Sequence, residues 1–256
     1  MILTPSSIAA LAASGLAAGV MNSLAGGGTI LTFPVLTFLG MKTIPANATS
    51  TVALVPGAMS SMWGYRREVA THSAWLRTLA APSILGGALG AWLLLRTEER
   101  VFAALAPWLV LFATLLFLFQ IWNSKRETPL GDGLAPSRRM SVAWAYQFAV
   151  AVYGGYFGAG IGILMLVALG FLGLTNIHAM NGLKNFFGAC INGIAAAYFI
   201  AKGYVEWHAA LVMMAGAIAG GLAGAHFARR IGKEKARWAV VAVGLFVTAA
   251  MLWERR

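Results

Sequence analysis

Long apolar runs, almost free of charged residues, follow one another along the chain. A membrane-spanning helix needs about 20 apolar residues to cross a hydrocarbon core of about 30 Å. Charged residues make up 11% of the chain, whereas soluble domains average about 25%. The sequence therefore predicts an all-α polytopic membrane protein. The apolar runs cover residues 6–40, 46–65, 74–95, 101–122, 140–174, 178–200, 207–228 and 237–253.

Basic residues lie in short clusters between the apolar runs and give a formal net charge of +11. In a soluble chain this excess would suggest nucleic-acid binding, but here the clusters are typical of cytoplasmic loops, so we expect no nucleic-acid partner. No basic residue precedes the first run, and we expect that run to remain as a helix instead of being cleaved as a signal peptide. The single cysteine, Cys190, excludes an intramolecular disulfide and a Cys-based metal cluster.

Two of the runs are too long for one spanning helix, and both contain glycine clusters. Residues 6–40 and 140–174 would each form a helix of about 52 Å at about 1.5 Å per residue. Glycines at 26–28 interrupt the first run, and glycines at 154–155 and within 158–162 interrupt the second. A glycine in a helix costs about 1 kcal/mol relative to alanine. We predict that both runs break into two pieces at these glycines.

An internal repeat relates the two halves of the chain. Residue n aligns with residue n+133 without a gap from 27/160 to 65/198, and residues 86–91 match residues 220–225 one position further on. Repeats with broken helices in corresponding places are typical of secondary transporters. We predict two homologous transmembrane repeats, residues 1–122 and 140–256, joined by a cytoplasmic linker over residues 123–139.

The charge distribution bears on how these halves cross the membrane. If each long run forms two pieces, the basic loop residues gather on one side, whereas eight simple spans would divide them almost evenly. The positive-inside rule then places Arg66, Arg67, the linker and residues 229–237 in the cytoplasm. The prediction is eight to ten transmembrane segments, with an inverted repeat favoured.

The acidic residues argue against a cation site. All eight carboxylates fall in loops or at segment ends, whereas proton and sodium relays use acidic groups inside the membrane. An anion site needs backbone amides, helix N-termini, hydroxyls, side-chain amides and a cation. The candidate substrate-binding residues are Asn22, Ser23, Gly26, Gly27, Gly28, Thr29, Asn47, Thr49, Ser50 and Thr51 in the first half, and Gly158, Gly160, Gly162, Asn181, Lys184, Asn185 and Asn192 in the second.

Several of these features have a purely structural alternative. We assign the glycines at 86 and 90, and those at 220 and 224, to close helix packing. Thr49, Ser50 and Thr51 can bind substrate or donate to the carbonyl four residues earlier. Lys184 can snorkel to the membrane surface, but a lysine at the bilayer centre costs about 2.5–3.5 kcal/mol. That cost favours a substrate or counter-ion role for Lys184.

Two stretches resemble the TauE/SafE sulfite-exporter family. The first is residues 18–29 followed by Phe33-Pro34 and residues 46–50; the second is residues 158–162 followed by residues 179–185. The resemblance implies a multi-pass permease of the bacterial inner membrane that exports sulfite, an organosulfonate or a related organic anion. Lys184 stands within a segment that differs from the family's more usual Gly-Thr-Ser-like pattern.

The sequence is also compatible with other functions. A cation or metal permease and a non-transporting membrane assembly protein are both open, although one cysteine and four scattered histidines disfavour metal transport. An intramembrane enzyme would need a motif such as Gly-x-Ser-x-Gly or His-Glu-x-x-His, and the sequence has neither. We expect no catalytic residues, no metal and no cofactor, and a small anion and the lipid bilayer as partners.

Overall fold

The computed structural model describes residues 4–24, 26–64, 73–123, 136–172, 174, 177–227 and 233–253. Over these ranges the chain is helical and contains no strand. The helices are α1 (Pro5–Leu24), α2 (Thr29–Phe38), α3 (Thr43–Gly64), α4 (Ser73–Arg96), α5 (Glu99–Asn123), α6 (Pro136–Tyr156), α7 (Ile161–Phe171), α8 (Ile177–Ala201), α9 (Trp207–Phe227) and α10 (Lys233–Trp253).

Both long apolar runs are broken, as predicted. The first break separates α1 from α2, and the second separates α6 from α7. The second break lies at residues 157–160, and the expectation of a break at Gly154 and Gly155 is wrong. Those two glycines are helical because they pack against other helices: a Cβ on Gly155 would overlap the Gly87 carbonyl of α4.

The ends of the predicted linker differ slightly from the helix ends. Helix α5 ends at Asn123, but α6 already begins at Pro136, inside the predicted linker 123–139. Proline is favoured at the first position of a helix because its missing N–H would have no partner there. Residues 124–135 and the basic residues Arg66 and Arg67 lie outside the described ranges.

The composition of the helices confirms a polytopic membrane architecture. In the described part of the chain, four helices are long and apolar enough to cross a membrane, with spans at Trp75–Arg96, Glu99–Phe119, Ala179–Ala201 and Trp207–Gly224. Helices α2 and α7 are apolar but shorter. Large apolar side chains such as Trp108 and Phe246 are exposed. Such a surface fits a lipid environment and would be a liability in water.

Glycines allow the closest helix contacts, as predicted for residues 86, 90, 220 and 224. Helix α1 packs on α9, where a Cβ on Gly220 would overlap the Leu16 carbonyl. Helix α4 packs on α6, where a Cβ on Gly86 would lie 2.6 Å from the Phe148 carbonyl oxygen. Small residues at such positions let helix backbones approach. The two pairs are therefore held by direct backbone contact.

The largest helix contacts between the two halves have counterparts in which the equivalent helices of the other half take part. Helix α1 packs on α9 as α6 packs on α4, and α3 packs on α9 as α8 packs on α4. Helices α3 and α8 contact each other, as do α5 and α10. This pattern supports the predicted duplication. The division into repeats and their relative orientation in the membrane stay predictions.

Glu99, the first residue of α5, fixes the start of α3. Its carboxylate accepts hydrogen bonds from the Thr43 hydroxyl at 2.7 Å and from the backbone amides of Thr43 and Ile44. A carboxylate is favourable at a helix N-terminus because it satisfies unpaired amides and opposes the helix dipole. This contact orients α3, which lines the cavity described below.

Candidate functional site

The two helix breaks lie against each other in the interior. A Cβ on Gly26 would lie 2.8 Å from the Cα of Gly162, and a Cβ on Gly27 would lie 3.2 Å from the amide nitrogen of Gly160. Gly26 and Gly27 have φ values of 82° and 95°, in the left-handed region that favours glycine. Glycine is thus needed in the first break both for its conformation and for the close approach.

A side chain holds each break in place. In the first, the Asn22 Oδ1 accepts a hydrogen bond from the Gly28 amide at 2.8 Å. In the second, the Tyr153 hydroxyl donates to the Ala159 carbonyl at 2.8 Å. The bends are therefore built into the packed structure by hydrogen bonds that span each break.

A cavity of about 30 Å³ opens where the breaks meet. This volume is roughly two to three times the ~10–15 Å³ that one buried water requires, which suits a small solute. Four parts of the chain line the cavity: the two breaks, helix α3 and helix α8. Around the first break the lining residues are Asn22, Gly26, Gly27 and Thr29, and around the second they are Gly158, Ile161, Gly162 and Met165. Helix α3 contributes Leu54 and Ala58, and helix α8 contributes Lys184, Asn185, Gly188 and Asn192.

Lys184 is buried at this cavity, with 2% of its surface exposed. Its ammonium donates to the Asn22 carbonyl at 3.3 Å. Asn22 lies in the last turn of α1, where carbonyls have no partner within the helix and carry the negative end of the helix dipole. The amine of Lys184 is therefore directed to the first break, and the alternative of snorkelling to the membrane surface is wrong.

Several hydrogen-bond donors around the cavity have no acceptor in the described part of the chain. The Asn185 Nδ2 is buried and unpaired, and Asn185 lines the cavity. The backbone amides of Thr29 and Gly162, at the starts of α2 and α7, are also unpaired there. Neither helix start is capped by a side-chain hydrogen bond. Unpaired donors of this kind suit a negatively charged partner.

The structure brings nine of the predicted site residues to the cavity and places the others elsewhere. Gly28 and Gly160 lie in the breaks but do not line it; a Cβ on Gly160 would face Ala113 and Leu116 of α5. The nine that line the cavity are Asn22, Gly26, Gly27, Thr29, Gly158, Gly162, Lys184, Asn185 and Asn192.

Apart from Thr29, the predicted hydroxyl-bearing residues make contacts away from the cavity. Ser23 donates to the Val20 carbonyl at 2.8 Å. The Thr51 hydroxyl donates to the Asn47 carbonyl at 2.9 Å, which is the structural alternative stated for it. Ser50 and Thr32 share a hydrogen bond of 2.6 Å between α3 and α2, and Thr49 accepts from the amide of Glu206 at 3.0 Å.

Two predicted asparagines are also buried away from the cavity. The Asn47 Nδ2 donates to the Tyr156 carbonyl at 3.1 Å and so ties α3 to the end of α6, next to the second break. Asn181 is buried in α8. The Oδ1 atoms of both residues lack a hydrogen-bond donor among the described residues.

Sequence reasoning named Asn192 but missed the apolar lining and Gly188. Leu54, Ala58, Ile161 and Met165 carry no signal that separates them from other core residues. Gly188 could have been found from spacing, because it lies four residues after Lys184 and four before Asn192, and residues so spaced share one face of a helix.

Acidic residues are absent from the cavity lining in the described ranges. Of the carboxylates whose placement is described, Glu98, Glu99 and Glu206 lie at or next to helix starts. No group of three potential metal-ligating His, Cys, Asp or Glu side chains occurs among the described residues. The electrostatic character of the site is set by Lys184 and by neutral donors.

Comparisons with known proteins agree with this architecture. The model of the family described as "Sulfite exporter TauE/SafE" matches residues 11–251. A probable membrane transporter protein of Haemophilus influenzae is 30% identical over 255 residues, which cover 97% of this chain and 95% of the relative. The probable membrane transporter protein YfcA of Escherichia coli K12 is 27% identical over 240 residues, covering 93% and 86%. The probable membrane transporter protein ORF9 of a Sinorhizobium species is 25% identical over 239 residues, covering 92% and 88%.

The family match covers nearly the whole chain, and both helix breaks and the cavity fall within it. The relatives that cover most of this chain are described as transporters. The chain therefore belongs to the TauE/SafE sulfite-exporter family of membrane transporters.

Proposed function

We propose that the cavity between the two breaks binds a small anion during transport, namely sulfite, an organosulfonate or a related organic anion. One observation carries the proposal. Lys184 is buried at the cavity beside the unpaired Asn185 Nδ2, and the described lining residues include no carboxylate. Candidate residues for binding the anion are Lys184, Asn185 and the amides of Thr29 and Gly162.

Electrostatics explains why an anion would be favoured at this position. A charge moved from water into a low-dielectric interior is strongly destabilised unless it is paired. The Asn22 carbonyl offers Lys184 the partial negative charge of a helix end. An anion about 4 Å away would contribute roughly 4 kcal/mol at an effective dielectric constant of ~20. A bound anion would thus add a full negative charge to the surroundings of the ammonium and stabilise its buried charge.

The membrane potential supplies a driving force for export. An inside-negative potential of about 100 mV favours outward movement of each negative charge by about 2.3 kcal/mol. A mono- or dianion could then leave the cell without an acidic coupling residue. The same proposal includes export as the direction of transport and the inner membrane as the location. It also includes a cytoplasmic linker over residues 123–139 and an inverted orientation of the halves 1–122 and 140–256.

Flux measurements on the purified protein in proteoliposomes test the proposal. We expect sulfite or an alkanesulfonate to move faster than through protein-free vesicles, and faster still under a potential that drives anions. Lys184→Met removes the charge and keeps most of the side-chain length. Truncating one partner of a buried charged contact costs about 2–5 kcal/mol, so we expect the apparent affinity to fall by at least about 30-fold.

Lys202→Met is the matched control, because Lys202 follows the end of the same helix and is exposed. This variant should keep the wild-type flux. The proposal is refuted if the wild type carries none of sulfite, sulfate, thiosulfate, sulfonates or carboxylates. Equal effects of the two lysine substitutions would refute the role of Lys184.

A further inference from the structure

One face of α8 lines the cavity, and the middle of that face has no side chain. Lys184, Gly188 and Asn192 are spaced at intervals of four residues, and all three line the cavity. Side chains four residues apart lie above one another on a helix. Gly188 therefore lies between the ammonium-bearing residue and the amide-bearing residue.

Packing does not account for glycine at position 188. A Cβ added there would meet only the Met165 Cε, at 3.7 Å, which is an ordinary van der Waals contact with the end of a flexible side chain. The glycines of the α4–α6 contact differ, because a Cβ on Gly86 or Gly90 would overlap the backbone of the neighbouring helix. Glycine in the middle of a helix is also less stable than alanine. What glycine provides at position 188 is open space in the cavity.

We propose that Gly188 sets the size of the anion that the transporter accepts. In this arrangement the charged head of the anion pairs with Lys184, and its bulk fills the gap left by the missing side chain between Lys184 and Asn192. The end of the Met165 side chain borders the same gap, and a carbon group of the anion would make an apolar contact with it there. The inference rests on the proposed anion site and narrows its substrate to an organic anion with a carbon group next to the charged head.

A pair of glycine-to-alanine variants on the same helix tests this inference. Gly188→Ala adds one methyl group inside the cavity. Gly193→Ala is the matched control, since Gly193 does not line the cavity and a Cβ there would meet nothing within 4 Å. Both substitutions replace a helical glycine, so both variants should melt at or above the wild-type temperature.

The readout is the ratio of ethanesulfonate flux to sulfite flux in proteoliposomes. When a substrate is one methylene group too large or too small for its pocket, the preference between substrates changes by about 10–200-fold. We expect Gly188→Ala to lower this ratio by at least about tenfold, and Gly193→Ala to leave it unchanged. A variant that is at least as stable as the wild type but selects smaller anions cannot be explained by misfolding.

The possible outcomes separate this inference from the proposed function. If the wild type carries none of sulfite, sulfate, thiosulfate, sulfonates or carboxylates, both proposals fail. If it carries sulfite alone, or if Gly188→Ala keeps the wild-type ratio, the anion site stands and the role of Gly188 is overturned. A melting temperature of Gly188→Ala below that of Gly193→Ala would contradict the open space on which the inference rests.

Discussion

The contact between the two helix breaks can be tested by substituting the glycine that makes it. Gly26→Ala places a Cβ 2.8 Å from the Cα of Gly162 on a residue whose φ is 82°. Gly40→Ala is the matched control, because Gly40 has a φ of 87° but nothing lies within 4 Å of its added Cβ. The comparison separates the cost of backbone conformation from the cost of close approach.

The two substitutions should differ in magnitude. A left-handed conformation costs a residue with a Cβ about 1–2 kcal/mol, and this is the whole expected effect of Gly40→Ala. Overpacking against the Gly162 backbone adds about 1–3 kcal/mol. We therefore expect Gly26→Ala to destabilise the protein by about 2–5 kcal/mol, because a backbone neighbour cannot move aside as a flexible side chain can.

Thermal unfolding of the detergent-purified variants measures this difference. In a chain of this size about 1 kcal/mol corresponds to roughly 2–4 °C in Tm. Gly26→Ala should melt clearly below Gly40→Ala and should also lose transport, since Gly26 lines the cavity. If the two variants melt at the same temperature, the breaks do not meet as described and the reasoning is refuted.

Two further substitutions test the supports of the site. Glu99→Gln should destabilise the protein by about 1–2 kcal/mol, because an amide cannot replace the charge at the start of α3. The control is Glu98→Gln, which changes the exposed neighbouring residue and should alter Tm little. Equal shifts in Tm would contradict the role of Glu99 at the start of α3. Gly220→Ala should lower Tm by several degrees through overlap with the Leu16 carbonyl. A Gly220→Ala variant as stable as the wild type would show that α1 and α9 do not pack through their backbones.

The helices could be predicted closely from the apolar runs. The run at 74–95 corresponds to Ser73–Arg96 and the run at 178–200 to Ile177–Ala201. The agreement has a physical basis, because the thickness of the bilayer fixes the length of an apolar span and charged residues end it. The charged Arg96 thus marks the end of α4.

The sequence does not reveal which of the glycines between residues 154 and 162 breaks the second long run. Gly155 and Gly158 look alike in the sequence, but Gly155 contacts the Gly87 carbonyl of α4, whereas Gly158 adopts a φ of 82°. A packing glycine and a helix-breaking glycine differ in their tertiary partners. Those partners are distant in sequence, and local spacing does not reveal them.

The sequence predicted the site residues whose side chains are unusual for an apolar segment. Lys184 and Asn185 stand out because charge and amide groups are rare in an apolar segment. Thr49 and Thr51 carry the right chemistry but face other contacts, because each face of a buried helix meets a different neighbour. Leu54 and Ala58 line the cavity without any distinguishing chemistry.

The most direct test of the anion site is to locate a bound anion that scatters anomalously. Selenite can replace sulfite, and its selenium position can be found in crystals of the protein. We expect a peak between the two breaks, with an oxygen of the anion about 2.7–2.9 Å from the Lys184 Nζ, and loss of the peak in Lys184→Met. A peak outside the cavity, or one that persists without the lysine, would contradict it.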